Sequence, residues 1–299
     1  MHCPRCHTEH APAATECARC GIVFEKWQDR SWVRRPGQTL AGMPIIFDGR
    51  MGTAEWKILG FGLGAAIVAY ALPFTRFVLS ALVTLFHELG HAVAGWLLGY
   101  PSLPAFDLVY GGGFTHQGEF RLSIVIAIGL AFGYCLLVFR GRPRLTVLIG
   151  AVALVWLFVV TAEWRRELVI SSAGHLSEFI LAGVLFYKAL AGVGWKNPSL
   201  ERPLGAFIAF FVQIHSMLFA WRLLHDVDFL AWYREGKGGA LMNDLESVAL
   251  DLHIHTPLNP GIDGVTRWLL LFSLLPIGVA LLWFFQRARW YRVVRALVA

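Results

Sequence analysis

From Trp56 onward the chain is written in long apolar blocks, not in the alternating or amphipathic patterns of a soluble core. Seven blocks stand out, roughly 56–72, 74–98, 122–139, 145–161, 168–190, 204–224 and 265–285. Each is close to or above the ~17 residues a helix needs to cross a hydrocarbon layer. Pro73 separates the first two, as a tight turn or a kink. Two longer stretches, about 99–121 and 225–264, read as loops, and residues 29–55, with Pro36, Gly37, Gly42, Pro44, Gly49 and Gly52, read as a basic Gly/Pro linker. The pattern predicts an all-α polytopic membrane protein of about seven transmembrane helices, with residues 56–299 as the transmembrane domain.

Composition agrees with that class. The chain has 299 residues, 57% hydrophobic and 15% charged, where a soluble domain carries about 25% charged residues. Mean hydropathy is +0.57. The net charge of +6 would be compatible with nucleic acid in a soluble protein. Here the basic residues flank the apolar blocks: Arg30, Arg34, Arg35, Arg50 and Lys57 before the first, Arg287, Arg289, Arg292 and Arg295 after the last. That placement predicts the lipid bilayer as partner, through anionic headgroups, and no nucleic acid.

Four of the five cysteines lie in the first twenty residues, as Cys3-Pro4-Arg5-Cys6 and Cys17-Ala18-Arg19-Cys20. Two such knuckles can place four thiolates tetrahedrally around Zn²⁺. Residues 1–28 are therefore expected to form a small four-cysteine zinc ribbon, folded by its structural zinc, with His2, His7 and His10 as solvated bystanders. No apolar segment in residues 1–30 suits a secretory signal. Reduced cysteine pairs then put the ribbon in the cytoplasm. With seven spans, however, Arg140, Arg142, Arg144 and the basic tail would lie outside, against the positive-inside tendency. A miscounted span near Pro73 would remove the conflict.

Within the second block stands His87-Glu88-Leu89-Gly90-His91. Four-residue spacing on a helix puts both imidazoles on one face, one turn apart. The pair can bind Zn²⁺, with Glu88 beside it as general base for metal-assisted hydrolysis. Ionisable residues deep in a membrane helix each cost about 2.5–3.5 kcal/mol on insertion scales, so three within five positions call for a bound cation. Zn²⁺ with two neutral histidines and ionised Glu88 keeps a positive charge, which one further carboxylate neutralises. His91 lies near the end of the second span, and every even-numbered span ends on that side. The stretch after the sixth span offers Asp226, Asp228, Asp244, Glu246, Asp251 and Asp263.

These residues resemble the metal-binding helix of the site-2-protease-like intramembrane zinc metallopeptidases. The likeness continues through Ala92 and Trp96-Leu97-Leu98-Gly99, and Phe106-Asp107-Leu108-Val109-Tyr110-Gly111-Gly112-Gly113 is similar to the family's Gly-containing strand segment. Ala173-Gly174-His175 sits where relatives tend to have Ala-Gly-Pro. The likeness covers about residues 80–275 and is specific at the first motif; the ribbon lies outside it. It implies a downstream Asp as third zinc ligand: Asp244, in Asn243-Asp244-Leu245-Glu246-Ser247, ahead of Asp226 and Asp263. Asp244 or Asn243 could instead cap a helix, with Glu246 completing a capping box.

The expected activity is that of an intramembrane zinc endopeptidase, with one catalytic and one structural zinc, acting on a membrane protein or peptide substrate, in a bacterial inner membrane. Segment 105–115 is expected either to hold an extended substrate by strand addition or to form an interfacial loop. His175 and Glu178, one turn apart near the active-site side of the fifth span, are expected to serve local helix packing or hydrogen bonding, with lining of the water path or support of the site as the alternative. His215 is a candidate support for the site, His253 and His255 are loop residues, and Cys135 is a core residue. A catalytically inactive membrane relative that binds partners is the alternative. A di-iron lipid oxidase would need several His-rich clusters, which the sequence lacks.

Overall fold

The computed structural model describes residues 8–9, 15–17, 51–107, 112–235 and 242–298. The chain divides into two units, Met1–Asp48 and Gly49–Ala299. In the first, Cys17 is buried and Glu9 and Glu16 sit in isolated β-bridges. Cys3, Cys6 and Cys20 lie outside the described residues, as does most of the 29–55 linker.

The second unit begins with helix α1 (Thr53–Ala71), so the last residues assigned to the linker are helical. It continues with α2 (Pro73–Leu97), strands β1 (Ser102–Asp107) and β2 (Gly112–Gln117), α3 (Leu122–Val138), α4 (Pro143–Val160), α5 (Glu163–Ala191) and α6 (Pro198–His225). Two short helices follow, α7 (Val227–Glu235) and α8 (Asp244–His255), then α9 (Gly261–Phe272), α10 (Leu275–Phe285) and the basic α11 (Arg287–Val298). Pro73, Pro143 and Pro198 each open a helix, where a missing N–H costs nothing. Gly192, at φ 66°, closes α5 in the left-handed conformation.

Among the described residues six helical segments are long and apolar enough to cross a membrane: α1, α2, α4, α5, α6 and the continuous stretch Gly261–Phe285. The 17-residue α3 is a shorter apolar helix. This is a polytopic helical membrane protein, and each of the seven apolar blocks is helical. The last block is broken between α9 and α10. Pro276 has no N–H to return to the preceding turn, and the Gln213 side-chain amide donates to the Ser273 carbonyl at the break.

Both stretches read as loops contain regular elements among the described residues. Strands β1 and β2 pair antiparallel, with Ser102 opposite Gln117 and Asp107 opposite Gly112. Residues 225–264 contain α7 and α8, so His253 and His255 are helical; His255 stacks on Trp164 at 5.0 Å.

Contacts fix the helix directions. α5 and α6 are antiparallel: Arg202 donates to the Ala189 carbonyl at one end, and Ser216 meets Glu178 farther along. α1 runs parallel to α6, since Glu55 pairs with Arg202, Gly62 packs on Ala206 and Tyr70 meets Phe211. α2 runs antiparallel to α5, with Val83 in one cluster with Ala182, Gly90 against Ala173 and His91 bonded to the Ile170 carbonyl. α1 and α2, separated only by Leu72, thus advance in the same direction.

Candidate metal centre

His87 and His91 project from one face of α2 toward α5, as their spacing requires. Their Nε2 atoms are 3.0 Å apart. Asp244 Oδ2 lies 2.8 Å from His87 Nε2 and 3.1 Å from His91 Nε2. The ligand atoms of a tetrahedral zinc, bound at 2.0–2.1 Å, are about 3.3 Å apart. The observed triangle is a few tenths of an ångström smaller.

The far side of each imidazole sets what the near side can offer. His91 Nδ1 donates to the Ile170 carbonyl at 2.7 Å. His87 Nδ1 is 2.6 Å from Glu178 Oε1. With each Nδ1 carrying the proton, a neutral ring turns a lone pair at Nε2 toward the other ring and toward the Asp244 carboxylate. Three acceptors then converge on one point. Protonating one imidazole would satisfy one of these contacts; a single cation satisfies all three. The donor set of two imidazoles and one carboxylate matches a catalytic zinc site with a remaining open position.

Gly174 makes the space. A Cβ there would fall 2.5 Å from Nε2 of both His87 and His91. Gly90, on the opposing helix, would drive a Cβ into the Ala173 carbonyl oxygen. Glycines on both sides of the α2–α5 seam bring the backbones together, a common device in membrane helix packing.

Behind His87 lies a buried polar layer that the sequence did not disclose as such. Glu178 accepts from Ser216 Oγ at 2.5 Å through its second oxygen. His175 stands edge-on to His87, ring centroids 4.6 Å apart. Its Nδ1 is 3.3 Å from the Glu178 oxygen that holds His87, but outside hydrogen-bonding geometry. Helix packing and hydrogen bonding, or support of the site, is the role expected of His175 and Glu178. Their i, i+3 spacing turns both toward His87 of α2. His175 also borders an apolar cleft of about 800 Å³ between α5, α8, α9 and α10.

Glu88 is buried, and β2 holds it. Thr115 Oγ1 donates to Glu88 Oε2 at 2.7 Å, and a Cβ at Gly113 would sit 2.5 Å from Glu88 Cγ. Gly112 has open space around it. The close-approach glycine of the hairpin is therefore Gly113.

Asp244 stands at the first position of α8. The capping alternative does not occur: neither Asn243 nor Asp244 makes a side-chain cap, and Glu246 pairs with Arg234 at 3.4 Å. The buried Asn243 donates to the Tyr233 carbonyl, and the Leu245 N–H reaches the Tyr233 hydroxyl at 3.4 Å, which together anchor the start of α8 to α7. Burial, with the charge of Asp244 nearby, pushes the Tyr233 hydroxyl above its ordinary pKa.

The other ligand candidates are placed elsewhere. Asp226 accepts from the Phe229 N–H at 2.9 Å and pairs with Arg222 at 3.2 Å. Those contacts, in that order, lower its pKa, and it caps α7. Asp263 is exposed in the first turn of α9. His215 packs against Tyr70 and Phe211 and lies 3.4 Å from Ser80 Oγ. No protein-family model, curated protein or solved structure matches this chain.

Proposed function

We propose that this protein is an intramembrane zinc endopeptidase of the site-2-protease-like kind, which hydrolyses peptide bonds in membrane-anchored or membrane-proximal proteins. The observation that carries the reading is the convergence of His87 Nε2, His91 Nε2 and Asp244 Oδ2 within 2.8–3.1 Å of one another, beside Glu88. When bound, zinc supplies Lewis-acid activation of water and of the scissile carbonyl.

The chain's own residues do the rest. Thr115 ties down Glu88 Oε2, leaving Oε1 to accept the proton of the attacking water and pass it to the leaving amine. Glu178 and the Ile170 carbonyl hold the two imidazoles in the tautomer that presents Nε2 to the metal. The hairpin offers an extended substrate a strand edge next to Glu88, and the apolar cleft beside His175 accommodates apolar side chains. A structural zinc on Cys3, Cys6, Cys17 and Cys20, in a cytoplasmic ribbon, and residence in a bacterial inner membrane complete the proposal.

The test is Glu88→Gln in the full chain. Cleavage of a membrane-protein substrate should be abolished while zinc content stays at that of the parent. Unchanged cleavage would reject the protease reading in favour of a partner-binding membrane protein.

A further inference from the structure

The apolar cleft of about 800 Å³ meets the metal centre at one end. Leu245, on its wall, directly follows Asp244. His175, also on its wall, directly follows Gly174, where a Cβ would fall 2.5 Å from Nε2 of both His87 and His91. The His175 ring stands edge-on to His87, with centroids 4.6 Å apart. The inner end of the cleft thus adjoins the metal centre from both α5 and α8, within reach of a side chain borne beside the scissile bond.

This inner end is polar in one place. His175 is nine-tenths buried. Its Nδ1 is sealed and without a hydrogen bond, 3.3 Å from Glu178 Oε1. Its Nε2 is not sealed and takes no partner among the described residues, and the open space that His175 borders is the cleft. Ser171, one turn earlier on the same face of α5, also lines it, whereas Ser172 spends its hydroxyl on the Leu168 carbonyl at 2.8 Å. The surrounding walls are apolar: Leu168, Leu176, Phe179, Val248, Leu269 and Phe272.

These groups narrow what fits. The Glu178 carboxylate beside Nδ1 favours the tautomer with its proton there, which leaves a lone pair at Nε2. The occupant must therefore bring a donor. An aliphatic or phenylalanine side chain would leave Nε2 unpaired against apolar walls, at a cost in free energy. A carboxylate would meet a lone pair and the charges of Glu178 and Asp244, and an ammonium would shed its water in apolar surroundings. A neutral donor on an apolar ring meets each requirement. A phenol hydroxyl lies on the ring axis and points to the inner end of a cleft, whereas an indole N–H lies on the ring flank.

We propose that the inner end of the cleft is a specificity pocket for a tyrosine side chain next to the scissile bond, with His175 Nε2 accepting from its hydroxyl. The preference in cleavage rests on the proposed peptidase reading; the pocket itself does not.

The purified full chain, with isotope-labelled histidine, is titrated in detergent with p-cresol, toluene and methylindole. p-Cresol should move the His175 Nε2 resonance, assigned by its loss in His175→Phe, and should bind about tenfold more tightly than toluene. In His175→Phe that ratio should fall to about one; taking the ratio within each protein cancels partition of the probes into detergent. Equal binding of p-cresol and toluene by the parent, or tighter binding of methylindole than of p-cresol, overturns the inference, and neither result needs the variant to fold. A single-span membrane protein with Tyr or Phe placed in turn at each juxtamembrane position is then offered to the parent. Cleavage beside Tyr should be about tenfold faster in kcat/KM than beside Phe, and equal rates overturn the inference. Selective p-cresol binding with no cleavage of either series would reject the peptidase reading while upholding the phenol site.

Discussion

The α2–α5 seam and the α3–α4 pair are both helix contacts within one apolar chain, and they are built in opposite ways. At the seam, Gly90, Ala173, Gly174 and Ser177 bring backbones close, and Ser177 donates to the Phe86 carbonyl at 2.6 Å. Buried polar residues line it: Glu88, His91, His175 and Glu178. In the α3–α4 pair, α3 has no buried residue and α4 only Val160. Their nearest glycine contacts are loose, with a Cβ at Gly129 still 3.9 Å from Trp156. In a bilayer, burying Leu against Leu gains little over Leu against lipid; small residues and hydrogen bonds hold helices together instead. The less apolar helices are therefore the ones that pack.

The sharpest way to break this contrast is Gly174→Val. Its side chain would occupy the space between the two Nε2 atoms, so the purified chain should lose about one equivalent of zinc and all measurable cleavage. Metal analysis showing full zinc content would remove the metal centre from the seam. Glu178→Gln comes next: the metal dissociation constant should rise about 10–100-fold, and Ser216→Ala should have a smaller effect, both read by competition with a chromogenic chelator. Gly113→Val should push Glu88 out of place and cut turnover by about 10²-fold with zinc retained, whereas Gly112→Val, in open space, should leave turnover unchanged.

Asp226→Asn probes the rim. The Asp226 pKa is depressed, so whatever its carboxylate adds to holding α7 is present above the ordinary carboxylate pKa and is lost as pH falls through the lowered value. The variant should leave zinc content intact and flatten the acid limb of thermal stability between those two values. Leu130→Ala, on α3 at 70% exposure, should be the smallest effect, within about 0.5 kcal/mol in a detergent unfolding assay. A large loss there would mean that α3 has a partner after all.

The apolar blocks were legible because membrane length requirements leave few alternatives. The His87-Glu88-Leu89-Gly90-His91 pattern was legible because helical spacing fixes which residues share a face. Parity of the spans confined the third carboxylate to the stretch after the sixth, with six acids open, and only the family resemblance favoured Asp244 among them. That parity holds from α2 to α6. The direction of α2 after Leu72 was not legible, because Pro73 reads equally as a turn or a kink. The partnership of Glu178 with His87 was hidden for another reason. It joins residues 91 positions apart, and nothing in the spacing of His175 and Glu178 says which neighbour they face.

Asp244 follows His91 by 153 residues. At 5–20 residues per second, a ribosome needs roughly eight to thirty seconds to synthesise that interval. Throughout it, α2 and α5 can meet with two imidazoles in place and no carboxylate between them. The Asp244 carboxylate joins the two imidazoles only when α8 has emerged and docked through Asn243 and Tyr233. Assembly of the His87–His91–Asp244 cluster is thus timed by translation itself, and a nascent chain at the insertion machinery stays without all three side chains until most of the bundle stands.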